Sequence, residues 1–275
     1  MCDKKINFKT CDLLCLKTNK NEMNNLLLNC SNEVYIINKQ KTIYLSYAPV
    51  GNYAKEPLII ISGKTTSYDS SRIFLRNYKS SDLYSACFSS IYSNMKNNLY
   101  KYLNKIGLFN YMANNHKLWK DYTIKTWEKV FSDKYFSYNC GIQLTQAFNC
   151  AILNYDNPSN EPDKRTIKKY NNKIGCLFKH FNITDKLKLI IFLDTPSMNN
   201  KFHQIYFWKE YIKNNNRMEK IKTISITHPS SHNNDIYNNL DNLLDKPNTG
   251  KWTNAKLLFK NAINEIQNMH NKQLE

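Results

Sequence analysis

The six consecutive residues His228-Pro229-Ser230-Ser231-His232-Asn233 carry the densest group of chemically capable side chains in the sequence. Imidazole is the side chain whose ordinary titration falls near neutrality, and a proline beside it fixes the backbone that aims it. His228 comes just after the largely apolar residues 221–226, so it is expected at a strand end, where it can stabilise charge on a leaving group. Three more polar clusters follow apolar runs in the same way. Gly63-Lys64-Thr65-Thr66 comes after residues 58–61, Thr145-Gln146-Ala147-Phe148-Asn149 after residues 142–144, and Asp194-Thr195-Pro196-Ser197 after residues 189–193. Lys64 offers an ammonium for a phosphate or an amine nucleophile. Gln146 and Asn149 offer amides that donate and accept together. Gly63 permits a sharp turn or a close approach of backbone to a ligand. Asp194 is a strand-end carboxylate, suited equally to a structural role.

Gly63-Lys64-Thr65 after a strand invites comparison with a phosphate-binding loop. That loop needs a second glycine five residues upstream, so that backbone N–H groups can wrap the phosphates. Leu58 stands there instead, and the residues between are the strand itself, which argues against an NTPase.

The elements that must position these groups follow from hydrophobic pattern. Short apolar runs ending in polar residues read as strands buried on both faces, the mark of a parallel sheet. Between them lie helical periodicities. Phe88, Ile91, Met95, Leu99, Tyr102 and Ile106 form one apolar face on a helix ending at Gly107. Ala255, Leu258, Ala262, Ile266 and Met269 form another, with Lys256 and Lys260 off it. The pattern predicts an α/β three-layer sandwich with a central, mainly parallel four-stranded sheet flanked by helices. In such a fold ligands bind beyond the carboxyl ends of the strands, where all four polar clusters fall. Residues 34–37 and 43–47 are β-rich around a polar turn at 38–41. Residues 1–45 are read as a decoration packed on a core domain of residues 46–275.

Composition narrows the partner. Lys and Arg number 39 against 22 Asp and Glu, a net charge of +17, which favours a polyanion, and nucleic acid is the commonest one inside a cell. The 19 tyrosines, many interleaved with Lys and Asn, can stack on bases; an AT-rich coding genome would yield the same mixture. Apolar residues at 41% exclude a disordered chain. No run approaches the roughly 18 apolar residues of a membrane span. Met1-Cys2-Asp3-Lys4-Lys5 has no apolar stretch behind its charges, so no signal peptide is read there and a cytoplasmic setting is expected. The eight cysteines include no CxxC, so reduced core thiols are expected, with no metal and no cofactor.

With these residues in view, the chain resembles the uracil-DNA glycosylase superfamily, most nearly a divergent bacterial and prophage branch. The resemblance rests on Tyr47-Ala48-Pro49-Val50-Gly51, Ile60-Ile61-Ser62-Gly63-Lys64-Thr65-Thr66, Met95-Lys96-Asn97-Asn98-Leu99 with Ile106-Gly107-Leu108, Thr145-Gln146-Ala147-Phe148-Asn149-Cys150, and His228-Pro229-Ser230-Ser231-His232-Asn233. These keep their order and spacing from about residue 45 to 240. The resemblance implies a parallel-sheet α/β fold, a base flipped out of double-stranded DNA, and hydrolysis of its N-glycosidic bond.

Carried onto this sequence, the resemblance makes His228 the electrostatic partner of the leaving base. Pro229, Ser230, Ser231 and Asn233 shape a wedge and contact DNA, and Lys64 holds a phosphate or attacks C1′ as an amine. Gln146, Thr145, Asn149 and Gly63 line the base. Thr65 stands where the superfamily keeps an acidic or amide residue that positions water. A threonine hydroxyl orients water but is no base near neutral pH, which leaves Asp69 as the nearby carboxylate for that role. The branch includes phage-restricting enzymes, so the expected substrate is phage DNA bearing a modified base, such as glucosylated hydroxymethylcytosine, in anti-phage defence. The alternatives are a uracil or deaminated-base repair glycosylase, and a catalytically inactive DNA-binding module of the same fold. No membrane and no obligate protein partner are expected.

Overall fold

A strand buried on both faces must keep its backbone bonded to neighbours on each side, and this decides where the strands end. The computed structural model describes residues 33–38, 41–47, 51–65, 73, 77, 85, 88, 95–148, 150–154, 177–178, 180–194, 203–213, 216–230 and 233–272. In chain order the strands are β1 (Glu33–Asn38), β2 (Lys41–Tyr47), β3 (Ile59–Thr65), β4 (Ile142–Phe148), β5 (Cys150–Asn154), β6 (Leu189–Leu193) and β7 (Lys222–Ile226). A four-stranded sheet runs β4-β3-β6-β7 with every neighbouring pair parallel. Each apolar run predicted as a strand is one of these four.

Two strands run further than their apolar stretches. Ser62 pairs with Thr145, Gly63 with Gln146 and Thr65 with Phe148, so the polar ends of β3 and β4 extend each other. The sharp turn expected at Gly63 is therefore corrected: the residue lies inside β3. The positive-φ glycines of the described residues are Gly51, Gly107, Gly141 and Gly250.

Alternation along the strands makes three layers. Ile59, Ile61, Leu144, Ile191 and Ile226 bury on one face against α1 (Lys96–Lys105), α2 (Leu108–Asn115), α3 (Ile124–Ser132) and α4 (Lys134–Asn139). Ile60, Ile190 and Phe192 bury on the other against Phe178, Phe181, and Phe207 and Trp208 of α5 (Gln204–Ile212). The short α6 (Asn216–Glu219) follows. Beyond β7, α7 (Asn234–Asn238) and α8 (Gly250–Asn271) return to the first face, with Ile236 and the expected Ala255, Ala262, Ile266 and Met269 buried there. The face predicted from Phe88 onward is divided, because α1 begins only after Met95 at its N-cap. Phe88, in an upstream helical position, still joins the same core. Gly107, at φ +81°, separates α1 from α2. Among the described residues no helix is long and apolar enough to cross a membrane.

The predicted hairpin is present as β1 and β2, and β2 also pairs antiparallel with β5 to make a second, three-stranded sheet. The sequence pattern did not predict β5.

The outer edge of β4 is covered by a side chain acting as a strand. Asn52 N–H donates to the Leu144 carbonyl at 3.0 Å. Its Nδ2 donates to Ile142 O at 2.9 Å and Ser137 O at 3.1 Å, and its Oδ1 accepts from Leu144 N–H at 2.5 Å. Closed this way, the edge at Ile142 and Leu144 offers no template for pairing with another chain. The approach is possible because Gly51 has φ +141° and no side chain; a Cβ there would lie 2.0 Å from Leu144 O. Gly51→Ala is expected to cost about 3 kcal/mol or more, read as a lower urea midpoint. Gly250→Ala, where a Cβ meets nothing within 4 Å, should cost only about 1 kcal/mol.

On the α5 face, Gln143 ties down the segment that precedes β6, donating to His180 O at 2.8 Å and accepting from Asn182 N–H at 2.9 Å. Burial pushes the His180 imidazole down from 6.5 to about 4. The unfolded chain therefore takes up this proton near pH 6.5 while the native chain holds off until near 4, and stability falls as pH drops through that window. The loss should approach about 3 kcal/mol by pH 4, and His180→Gln should flatten that part of the stability profile.

Candidate functional site

The strand order places a topological switch between β3 and β6. From β3 the chain moves to one side, to β4, and then crosses back to the other, to β6 and β7. The crevice where a parallel sheet takes its ligand lies at the carboxyl ends of such a pair. Lys64 is the penultimate residue of β3 and Asp194 directly follows β6.

These two side chains form the centre of a buried network. Lys64 Nζ lies 3.2 Å from Asp194 Oδ1, with the lysine side chain 15% exposed and the carboxylate 0%. His203 Nδ1 is 3.3 Å from the same oxygen, and the backbone N–H of Gln204 donates to Oδ2 at 2.8 Å. The Gln204 amide then reaches β3, donating to Ser62 O at 3.2 Å and accepting from Ser62 Oγ at 2.8 Å. Desolvating an ion pair costs several kcal/mol, and only well-aimed hydrogen bonds offset it. Here the donors converge from β3 and the start of α5 on a carboxylate that follows β6. His203 and Gln204 escaped the sequence reading, since nothing in the pattern of residues 195–204 links them to Asp194.

Period-two alternation sorts the other candidates. Gln146 shares its face with Ile142 and Leu144, and Gly63 is its register partner on β3. Thr145 is buried and belongs to the opposite face, that of Lys64 and Asp194. The sheet therefore brings Gln146 together with Gly63, and divides both from Thr145 and Lys64. Gln146 is only 5% exposed, and its Oε1 has no hydrogen-bond partner among the described residues. A buried carbonyl oxygen left without a donor costs about 1–3 kcal/mol.

At the far edge, the loop after β7 holds His228, half-buried, with Pro229 buried beneath it. Its carbonyls point into the protein. The Tyr237 hydroxyl donates to Thr227 O, Asn233 Nδ2 to His228 O at 2.8 Å, and Asn98 Nδ2 to Pro229 O at 3.4 Å. Asn233 N–H donates to Ser230 O at 3.0 Å. The amide of Asn233 is thus engaged with its own loop, and Pro229 contributes to loop shape. Asn98 belongs to the Met95–Leu99 motif, which gives that motif a physical task. Asp69, Asn149, Ser231 and the side chain of Thr65 lie outside the described residues.

Among the described residues, no three His, Cys, Asp or Glu side chains gather as metal ligands. Cys140 is buried and its thiol is pushed up to about 12, so it is inert at neutral pH. A cavity of about 420 Å³ lies between the segments leading into β6 and β7, lined by Thr184, Leu187, Lys188, Lys220 and Ile221. It is at the amino end of the sheet, away from the polar strand ends. No family model, curated protein or solved structure matches this chain.

Removing the Asp194 carboxylate would leave convergent donors aimed at an absent acceptor. Asp194→Ala is expected to cost about 3–5 kcal/mol in urea denaturation. Lys64→Met combined with Asp194→Ala should cost less than the sum of the two single changes, because the residues share one network.

Proposed function

We propose that this chain is a DNA glycosylase that extrudes a modified base from duplex DNA and hydrolyses its N-glycosidic bond, leaving an abasic site. The observation that carries the reading is the buried Gln146 amide at the carboxyl end of β4, whose Oε1 has no donor among the described residues. A base edge bearing an N–H or amino group would satisfy it. Gly63, its register neighbour, keeps that side of the amide clear of a side chain. His228 stands three strand spacings away, roughly 14 Å, so the two side chains would reach the same base, which is also the leaving group, from opposite edges.

In the reaction, His228 stabilises negative charge on the departing base, and Thr65 or Asp69 orients the attacking water. Asp194 does not serve as the base, because both of its oxygens accept from Lys64, His203 and Gln204. The net charge of +17 supplies the attraction to phosphate. The preferred substrate is a modified base of phage DNA, met in the cytoplasm. The engagement of Asp194 favours one other reading, a DNA-binding module of this fold without catalysis.

The test is base release from duplexes carrying uracil, hypoxanthine, hydroxymethylcytosine, glucosylated hydroxymethylcytosine or no modification, read as alkali-labile breaks. His228→Ala should lower turnover at least about a hundredfold while leaving Kd for DNA within a few-fold. Affinity should fall linearly in log–log form as salt rises, by about 0.9 per phosphate neutralised. No release from any duplex, with tight and salt-sensitive binding, would replace the enzyme by the binding module.

A further inference from the structure

The direction of a side chain is set by the two planar peptide groups that meet at its Cα. For His228 these are the planes carrying the Thr227 and His228 carbonyls. Each is held by a side chain of the following segment: the Tyr237 hydroxyl bonds Thr227 O, and Asn233 Nδ2 bonds His228 O at 2.8 Å. The next residue is a proline, whose ring fixes its own φ, and its carbonyl accepts from Asn98 on α1 at 3.4 Å. Asn98 Nδ2 also donates to Asn234 Oδ1 at 2.8 Å, bracing α1 against α7.

The anchors behind these bonds are rigid. Tyr237 is 2% exposed and packs its ring against Tyr102, with centroids 5.8 Å apart; Tyr102 in turn meets Phe259 edge-on at 5.3 Å. A hydroxyl on a ring so confined has little freedom except to point at Thr227 O. Three consecutive carbonyls of an irregular loop are thereby fixed by side chains from α1, α7 and the residue before α7. Loop carbonyls outside regular secondary structure commonly bond to water. Here the donors come from the protein.

We propose that Tyr237 and Asn233 are positioning residues for His228: they fix the peptide planes on either side of its Cα and so aim the imidazole. This rests on the reading of His228 as the group that faces the leaving base. It also gives Asn233 a task different from contacting DNA.

The experiment uses Tyr237→Phe, which deletes one oxygen and keeps the ring in its core, and Asn233→Ala as an independent second change. Each is combined with His228→Ala in a double-mutant cycle on the kcat of base release. Side-chain NMR follows the imidazole resonances of the six histidines, assigned by single His→Gln replacements. Either single change is expected to lower kcat about tenfold with KM unchanged and to shift the His228 resonance. In the His228→Ala background neither change should have any further effect, because what it positions is gone. A loss that persists in that background overturns the proposal, since the residues would then act on the fold at large. An unmoved His228 resonance in both variants overturns it as well. If the unaltered protein releases no base, the functional reading fails; the His228 resonance alone then decides whether the two residues orient the imidazole.

Discussion

On β3 and β4 every side chain must choose between two buried faces, and the choice passes strictly from one residue to the next. This constraint organises the molecule. It sends Ile59 and Ile61 to the helices α1–α4 and Ile60 to α5. It continues past the apolar residues, because Ser62, Gly63 and Thr65 keep ladder partners on β4. The polar residues at the strand ends are therefore still dealt out by alternation. Lys64 goes to the face of Asp194, and Gln146 to the face of Leu144. The strand ends are therefore chemically different on their two faces: a charged network on one, and on the other an amide whose Oε1 has no partner among the described residues.

The second theme is the use of amides in place of backbone. Asn52 closes the edge of β4, Gln143 holds residues 180–182, Asn182 donates to Ala54 O and Lys55 O, Gln204 clasps Ser62, and Asn98 and Asn233 fix the His228 loop. Each reaches a backbone carbonyl, most of them in loops or on a strand edge. An amide suits this because it donates and accepts without carrying a charge that burial would penalise. A chain rich in Asn can thus build irregular loops of defined shape. The same Asn content, seen in composition alone, is equally what an AT-rich coding genome would yield.

Much of the fold was legible because parallel strands buried on both faces leave an unmistakable trace, as in residues 189–193, where all five side chains are buried. The last helix was legible for the opposite reason, since only one of its faces is covered. Less legible were contacts whose partners lie far apart in sequence with no pattern between them. Asp194 drew notice as a strand-end carboxylate, yet His203 and Gln204 lie beyond a segment with no periodicity. Asn52 reaches partners 85 and 90 residues away, and a single asparagine after a glycine gives no hint of it. The division of Gln146 from Thr145 follows from period two once the strand continues past Leu144, where its apolar run ends. A polar residue inside a ladder looks like a loop when only hydropathy is followed.

The position of β3 at the middle of its sheet has a consequence for how the chain is made. It is the first of its four strands to be synthesised, yet its neighbours β4 and β6 begin at Ile142 and Leu189. At translation speeds of about 5–20 residues per second, its second flank waits roughly ten seconds for a partner. Through that interval a strand containing Ile59, Ile60 and Ile61 has bare N–H and C=O groups on at least one side. Such pairing between distant segments slows folding and exposes the nascent chain to association with others. Truncation before β6 would leave the central strand with an open edge.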